Sequence, residues 1–225
     1  MEEKYKQEPS DILKVVLFGP ESTGKTTLSE QLARHYNTVW VPEYARDYLQ
    51  EKWNNERKTC EPHDLLPIAE GQMRLENRLT KKATKICVCD TDLLETKVYS
   101  EAYYIGDCDP TLEKYALQNS YDLYLLTYID IPWEEDDLRD KPNEREEMFN
   151  YFKLTLEKYD KNFIGIHSII IVMISVYTIV AKFYHKCNQS ILLGLAIIMT
   201  FYVANAVLYR LKYFNNMYVF YVIKL

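Results

Sequence analysis

Residues 14–27 read KVVLFGPESTGKTT, and this stretch decides the fold. Lys14–Phe18 is a short apolar run rich in β-branched residues, as a buried strand requires. It runs straight into Gly19-Pro20-Glu21-Ser22-Thr23-Gly24-Lys25-Thr26-Thr27, after which Leu28, Leu32 and Ala33 recur at helical spacing. Gly19–Thr26 fits G-x-x-x-x-G-K-[ST] at every fixed position, between a strand and a helix. Glycines let the backbone curl so that successive N–H groups point inward at phosphate oxygens, and the helix N-terminus adds its partial positive charge. Lys25 is placed to reach the β/γ-phosphates of a nucleotide, and the Thr26 hydroxyl to ligate Mg²⁺. Gly19 to Thr27 is therefore the expected ATP-binding segment, with Mg²⁺ as the expected cofactor.

Outward from this loop, strands and helices alternate. Thr38–Val41 reads as a second strand and residues 64–82 as a long helix with Ile68, Met73, Leu75 and Leu79 on one face. Lys85–Cys89 is a third strand, Asp122–Tyr128 a fourth and Phe163–Ile166 a fifth; Glu144–Tyr159 carries Met148, Phe152 and Leu156 at helical spacing. Such alternation predicts an α/β fold, a five-stranded parallel sheet of P-loop type with helices on both faces.

Three further groups fall at strand ends or in the loops beyond them. Asp90 and Asp92 close the third strand, at the edge of a parallel sheet where ligands bind. One of the two suits a metal held through water; the alternative for Asp92 is that it caps the helix starting at Leu93. Glu43, Tyr44 and Arg46 follow the second strand on the same edge, a carboxylate, a phenol and a guanidinium suited to a polar small molecule. Alternatively Glu43 opens the next helix and Arg46 makes a surface ion pair. Trp133–Arg139 (WEEDDLR), with Arg145 beyond it, offers an aromatic stacking face and two arginines able to close over transferring phosphates. The bland reading of the same run is a solvated acidic loop. The four His (35, 63, 167, 185) and the cysteines have no zinc-ligand spacing.

Composition divides the chain. Its 225 residues are 48% hydrophobic and 27% charged, enough for a real core, and six Gly and eight Pro exclude collagen-like and low-complexity classes. Overall net charge is −6, against a nucleic-acid partner. Yet residues 163–225 contain no Asp or Glu and carry +5, leaving −11 on residues 1–162. Residues 1–11 are polar and acidic, without the apolar core of a secretory signal, so the catalytic part is expected to face the cytoplasm. Residues 163–181 and 187–209 are free of charge, each long enough to span a bilayer. The apolar tail, residues 167–225, is thus expected to be a helical membrane hairpin tethering residues 12–166 at the inner membrane. The alternative is translation from a shifted reading frame.

GPESTGKTTL (19–28), VPEYARDYL (41–49), CDTD (89–92) with Thr96, and IPWEEDDLRDKPNER (131–145) together resemble the ribosylnicotinamide kinase domain of bacterial NadR-type NAD-biosynthesis proteins. The resemblance covers about residues 12–166. It implies transfer of the γ-phosphoryl of ATP to the 5′-hydroxyl of nicotinamide riboside. It also implies a riboside site lined by Glu43, Tyr44, Arg46 and Asp92, Trp133 against the nicotinamide ring, and a lid bearing Arg139 and Arg145. Lys25, Asp90, Asp92, Arg139 and Arg145 are then the expected catalytic residues, with Asp90, Asp92 or Glu43 as the base and Thr26 and Asp90 on the metal. An acidic, aromatic pocket suits the cationic pyridinium. Only about eleven residues precede the first strand, so neither adenylyl transfer nor operator binding, which such proteins can add, is expected.

Overall fold

The computed structural model describes residues 2–104, 106–139 and 142–167. The elements run β1 (Leu13–Phe18), α1 (Lys25–His35), β2 (Trp40–Val41), α2 (Tyr44–Glu56), α3 (Leu65–Thr80), β3 (Ile86–Cys89), α4 (Leu93–Tyr103), α5 (Pro110–Gln118), β4 (Leu123–Thr127), α6 (Arg145–Lys158) and β5 (Phe163–Ile166). Short 3-10 turns at Glu2–Tyr5 and Pro62–Asp64 complete them.

All five strands are parallel, in the order β2-β3-β1-β4-β5. β1 is central because the chain goes first to one side of it (β2, β3) and then to the other (β4, β5). The strand order therefore reverses at β1, and the crevice beyond its carboxyl end is where such sheets take ligands. Alternation along β1 sends Val16 and Phe18 to one face and Leu17 to the other. The first face holds the main core, where Phe18 meets Tyr124 and Phe152 edge-on at 5.4 and 4.9 Å and where α3, α4, α5 and α6 contribute Met73, Val98, Leu112 and Leu156. Edge-on aromatic pairs add about 0.5–1.5 kcal/mol to the burial itself. The second face is thinner: Leu28 of α1 packs on Leu17 and Val88.

Two helices start on side-chain caps. Asp92 accepts from the Glu95 amide to open α4, and Asp109 accepts from the Thr111 amide to open α5 with Pro110 in the first turn. The expected strand over residues 38–41 shortens to Trp40–Val41, and the expected helix over 64–82 to Leu65–Thr80. Asp64 is instead taken up below α3, where Glu61 and Asp64 bond reciprocally. Beneath the sheet, Lys14 and Glu76 form a buried pair at 2.8 Å, and Gln7 and Tyr121 donate further hydrogen bonds to the Glu76 carboxylate.

Residues 163–166 form the fifth strand, as expected, and pair with β4 at the edge of the sheet. The remainder of the expected membrane hairpin, including residues 187–209, lies outside the described residues. Among the described residues no helix is long and apolar enough to cross a membrane.

Candidate active site

The loop after β1 is wound by three positive φ angles, at Gly19 (+144°), Ser22 (+56°) and Gly24 (+81°). Gly19 admits no side chain, since a Cβ would lie 2.7 Å from Thr127 Oγ1 and 2.9 Å from the Thr127 carbonyl oxygen. Thr23 locks the turn: its hydroxyl donates to the Pro20 carbonyl at 2.9 Å and lies 2.7 Å from the Thr127 hydroxyl. Gly24 opens α1 and, having no side chain, caps none of the first-turn amides. The result is an amide-lined concavity at a helix N-terminus, the geometry that binds phosphate.

Lys25 lies within this concavity, 9% exposed. Its ammonium donates to the Gly19 and Pro20 carbonyls at 2.6 and 2.9 Å and pairs with Glu95 Oε1 at 3.2 Å. Burial works to lower its pKa, but the charges of Glu95, Glu43 and Asp90 outweigh it and the net shift is upward. Thr26 donates its hydroxyl to Asp90 Oδ2 at 2.7 Å, and Ser29 reaches Oδ1 at 3.4 Å. The end of β3 is thereby joined to the start of α1. Burial, with the Glu43 charge, pushes the Asp90 carboxyl up to about 6, against the Thr26 bond, the Lys25 charge and the Ser29 bond.

Asp92 is fully buried, and each oxygen is engaged: Oδ1 accepts from the Glu95 amide at 2.9 Å and Oδ2 from the Tyr124 hydroxyl at 2.8 Å. Of the two roles open to it in the sequence, these bonds are those of a helix cap. Glu43 stands half-buried at the start of α2 and makes no capping bond. Tyr44 lies over α3, its amide donating to Gln72 Oε1 at 2.8 Å and its ring occupying the space beside Gly71.

The segment 131–139 closes one side. Asp136 takes both Arg46 guanidinium nitrogens, at 2.7 and 3.3 Å, and also Arg139 Nε at 3.1 Å and the Leu138 amide at 2.9 Å. Burial pushes the Asp136 carboxyl up, but the bonds from Arg46 and Leu138 bring it net below the usual range. Arg139 also donates to the Glu134 carbonyl. Arg145 opens α6 and reaches back: one guanidinium nitrogen donates to the Ile131 carbonyl at 2.9 Å, the other to the Ser22 carbonyl at 3.1 Å, with the guanidinium carbon 5.7 Å from the Trp133 ring centroid. Ser22 Oγ accepts from the Glu134 amide at 2.9 Å. Trp133, Tyr99, Tyr103, Glu21 and Arg145 line one small pocket beside Pro20.

The structure thus brings Lys25, Thr26 and Asp90 together in one cluster, and Arg46, Arg139 and the Trp133 segment in another. Hard oxygen donors from Thr26 and Asp90, adjacent at the phosphate loop, fit Mg²⁺. By contrast the acidic group Glu61, His63 and Asp64 is held by Lys52, whose ammonium lies 2.8 Å from Glu61 and 2.5 Å from Asp64. Two residues of the site escaped the sequence reading, Glu95 and Asp136. Glu95 sits three residues after Asp92, the spacing of a capping box, which disguises it. Asp136 is one acid in a run of four, and only its two arginine partners distinguish it.

Residues 14–169 match the family described as AAA domain. The chain belongs to this family. It is similar to the trifunctional NAD biosynthesis/regulator protein NadR of Escherichia coli (strain K12), 29% identical over 160 residues, covering 70% of this chain and 39% of that protein. The protein of the same description from Salmonella typhimurium is 30% identical over 131 residues, covering 58% of this chain and 32% of the relative. The chain therefore spans well under half the length of these curated relatives. A crystal structure of NadR protein in complex with NR superposes with a TM-score of 0.58 at 24% identity, over 69% of this chain and 43% of that one. A second, in complex with NAD and AMP-PNP, gives 0.56 at 24% identity, over 69% and 44%. The resemblance carried by the four sequence blocks is borne out, as is the five-stranded P-loop fold.

Proposed function

We propose that this domain is an ATP-dependent nucleoside kinase that phosphorylates the 5′-hydroxyl of nicotinamide riboside, giving nicotinamide mononucleotide and ADP. The observation that carries the reading is the Thr26–Asp90 hydrogen bond at the phosphate loop, with a pocket beside Pro20 of the same loop lined by Glu21, Tyr99, Tyr103 and Trp133. The first half of that arrangement suits a metal-bound triphosphate; the second suits a flat cation on a sugar. The similarity to NadR proteins, one of which is a complex with NR, supports the same acceptor.

In this reading the amides of Gly19–Thr27 hold the triphosphate and Lys25 turns to its β/γ oxygens. Thr26 and Asp90 hold Mg²⁺, which when bound neutralises charge on the phosphate oxygens. Phosphoryl transfer needs in-line placement more than covalent help, and the protein supplies it by positioning. Glu43 takes the hydroxyl proton: Asp92 is engaged as a cap and Asp90 with Thr26, whereas the Glu43 side chain makes no such cap. Trp133 stacks on the pyridinium, and Arg139 and Arg145 border the transferring group.

Incubation of the protein with Mg-ATP and a nucleoside panel tests this. Phosphorylated nicotinamide riboside is the expected product, and Trp133→Ala raises the KM for that riboside by about tenfold, the scale of one lost stacking contact. Nucleotide hydrolysis indifferent to every nucleoside would point to a P-loop ATPase instead and end the reading.

A further inference from the structure

Glu95 is 2% exposed, in the first turn of α4, and belongs to none of the four sequence blocks. Its Oε1 faces the Lys25 ammonium at 3.2 Å, while Oε2 is buried and has no hydrogen-bond partner among the described residues. The titratable groups around it are Lys25 from α1, Glu43 from the start of α2, and Asp92 and Tyr99 from its own helix. Lys25 is the one cation in this set. Burial pushes the Glu95 carboxyl well above the usual range, with Lys25 pulling it down and Glu43 and Asp92 pushing it further up.

The ammonium held by Glu95 and by the Gly19 and Pro20 carbonyls is the one a triphosphate requires. When Lys25 turns to phosphate, Glu95 would be left as a buried carboxylate with two acids for neighbours. An unpaired buried charge is expensive enough that such a group protonates instead. We infer that Glu95 is a positioning residue that exchanges its Lys25 partner for a proton when a nucleoside triphosphate binds. The proton comes from solvent and bonds to a carboxylate oxygen; Lys25 remains an ammonium, and no other group changes charge. Binding is thereby linked to proton uptake. The inference rests on reading Gly19–Thr27 as a triphosphate cradle and is independent of which hydroxyl receives the phosphate.

Calorimetric titration of the full chain with magnesium and AMP-PNP at pH 8, in two buffers of different ionisation enthalpy, reads the proton directly. At that pH the Asp90 carboxyl, near 6, is already ionised and contributes little. Wild-type protein is expected to take up at most one proton, from the share of Glu95 that Lys25 keeps ionised in the free protein, and its affinity to fall by at most about tenfold per pH unit as pH rises from 7 to 9. Glu95→Gln keeps the shape, takes up no proton, and binds the nucleotide with an affinity indifferent to pH. Proton-neutral binding by the wild type, which needs no variant, would overturn the exchange, as would equal uptake by Glu95→Gln. Linked uptake without phosphorylation of any riboside would uphold the exchange and remove the proposed acceptor. Failure of the wild type to bind nucleotide would remove both.

Discussion

Asp136→Asn isolates the latch between the Trp133 segment and α2. Asparagine keeps the shape and still accepts from the Leu138 amide, so the change removes charge and little else. The charge lost faces Arg46 at 2.7 Å and Arg139 at 3.1 Å. The side chains are 42% exposed at Arg46, 22% at Arg139 and 24% at Asp136, so solvent screens both pairs. Screened pairs of this kind are worth about 0.2–1 kcal/mol each, or roughly 0.5–2 kcal/mol together. If the latch holds the segment over bound riboside, that energy appears as a rise in KM for nicotinamide riboside of about 2- to 30-fold, with kcat changed by less than about threefold. Steady-state ADP release measured against riboside concentration reads both constants. Salt provides a second readout, because shortening the Debye length from about 10 Å to about 3 Å weakens the pairs. The wild-type KM should climb with salt toward that of the variant, whose own KM should respond less. An unchanged KM in Asp136→Asn, or a variant as salt-sensitive as the wild type, would refute the latch.

Two other substitutions test other parts of the site. Thr26→Val removes the hydroxyl bonded to Asp90 and should lower kcat/KM by about a hundredfold or more, with a circular dichroism melt close to wild type; near-normal turnover would remove Thr26 from the metal site. Asp92→Asn tests whether that residue is a cap or a base. Burial, opposed by the Glu95 amide and Tyr124 bonds, holds the Asp92 carboxyl at about 6, above its ordinary 3.8. A raised carboxyl favours the fold in its neutral form, so its contribution is greatest below pH 4 and is lost as pH rises to about 6, by roughly 3 kcal/mol in all. Asparagine caps as well as aspartate and carries no charge, so denaturant unfolding should show Asp92→Asn with a flatter stability profile between pH 4 and 7, and the kinase assay should show activity retained. Loss of turnover in a well-folded Asp92→Asn would restore it as a base.

Much of this site was readable from residues 14–27 alone, because a strand, a glycine turn and a lysine at a helix start leave the backbone little choice. The other strands were legible for a related reason: buried parallel strands are continuous apolar runs, as in ICVC and LYLLT. α5 was not foreseen, although Asp109-Pro110 is a helix-start signature, because the helix is nine residues long with three buried side chains and gives a weak period. β2 shortened because only Trp40 and Val41 find ladder partners on β3. What sequence spacing could not supply was partnership across the fold. Glu95 meets Lys25 seventy residues away, and Arg46 meets Asp136 ninety away, through the order in which helices return to the sheet. Asp92 shows the converse: its place in the sequence allowed two roles, and the bonds it accepts, from the Glu95 amide and from the Tyr124 hydroxyl on β4, separate them.

Ser22 fastens the nucleotide loop to the segment bearing Trp133 through both backbone and side chain: its carbonyl accepts from Arg145 and its hydroxyl meets Pro132 and Glu134. Ser22, itself twisted into a left-handed conformation, therefore forms part of the seam between the two sides of the cleft. In the proposed reading, strain that a seated triphosphate put on that turn would reach the aromatic side through Ser22. In the proposed kinase, departure of one product and loosening of the other would be linked through this seam.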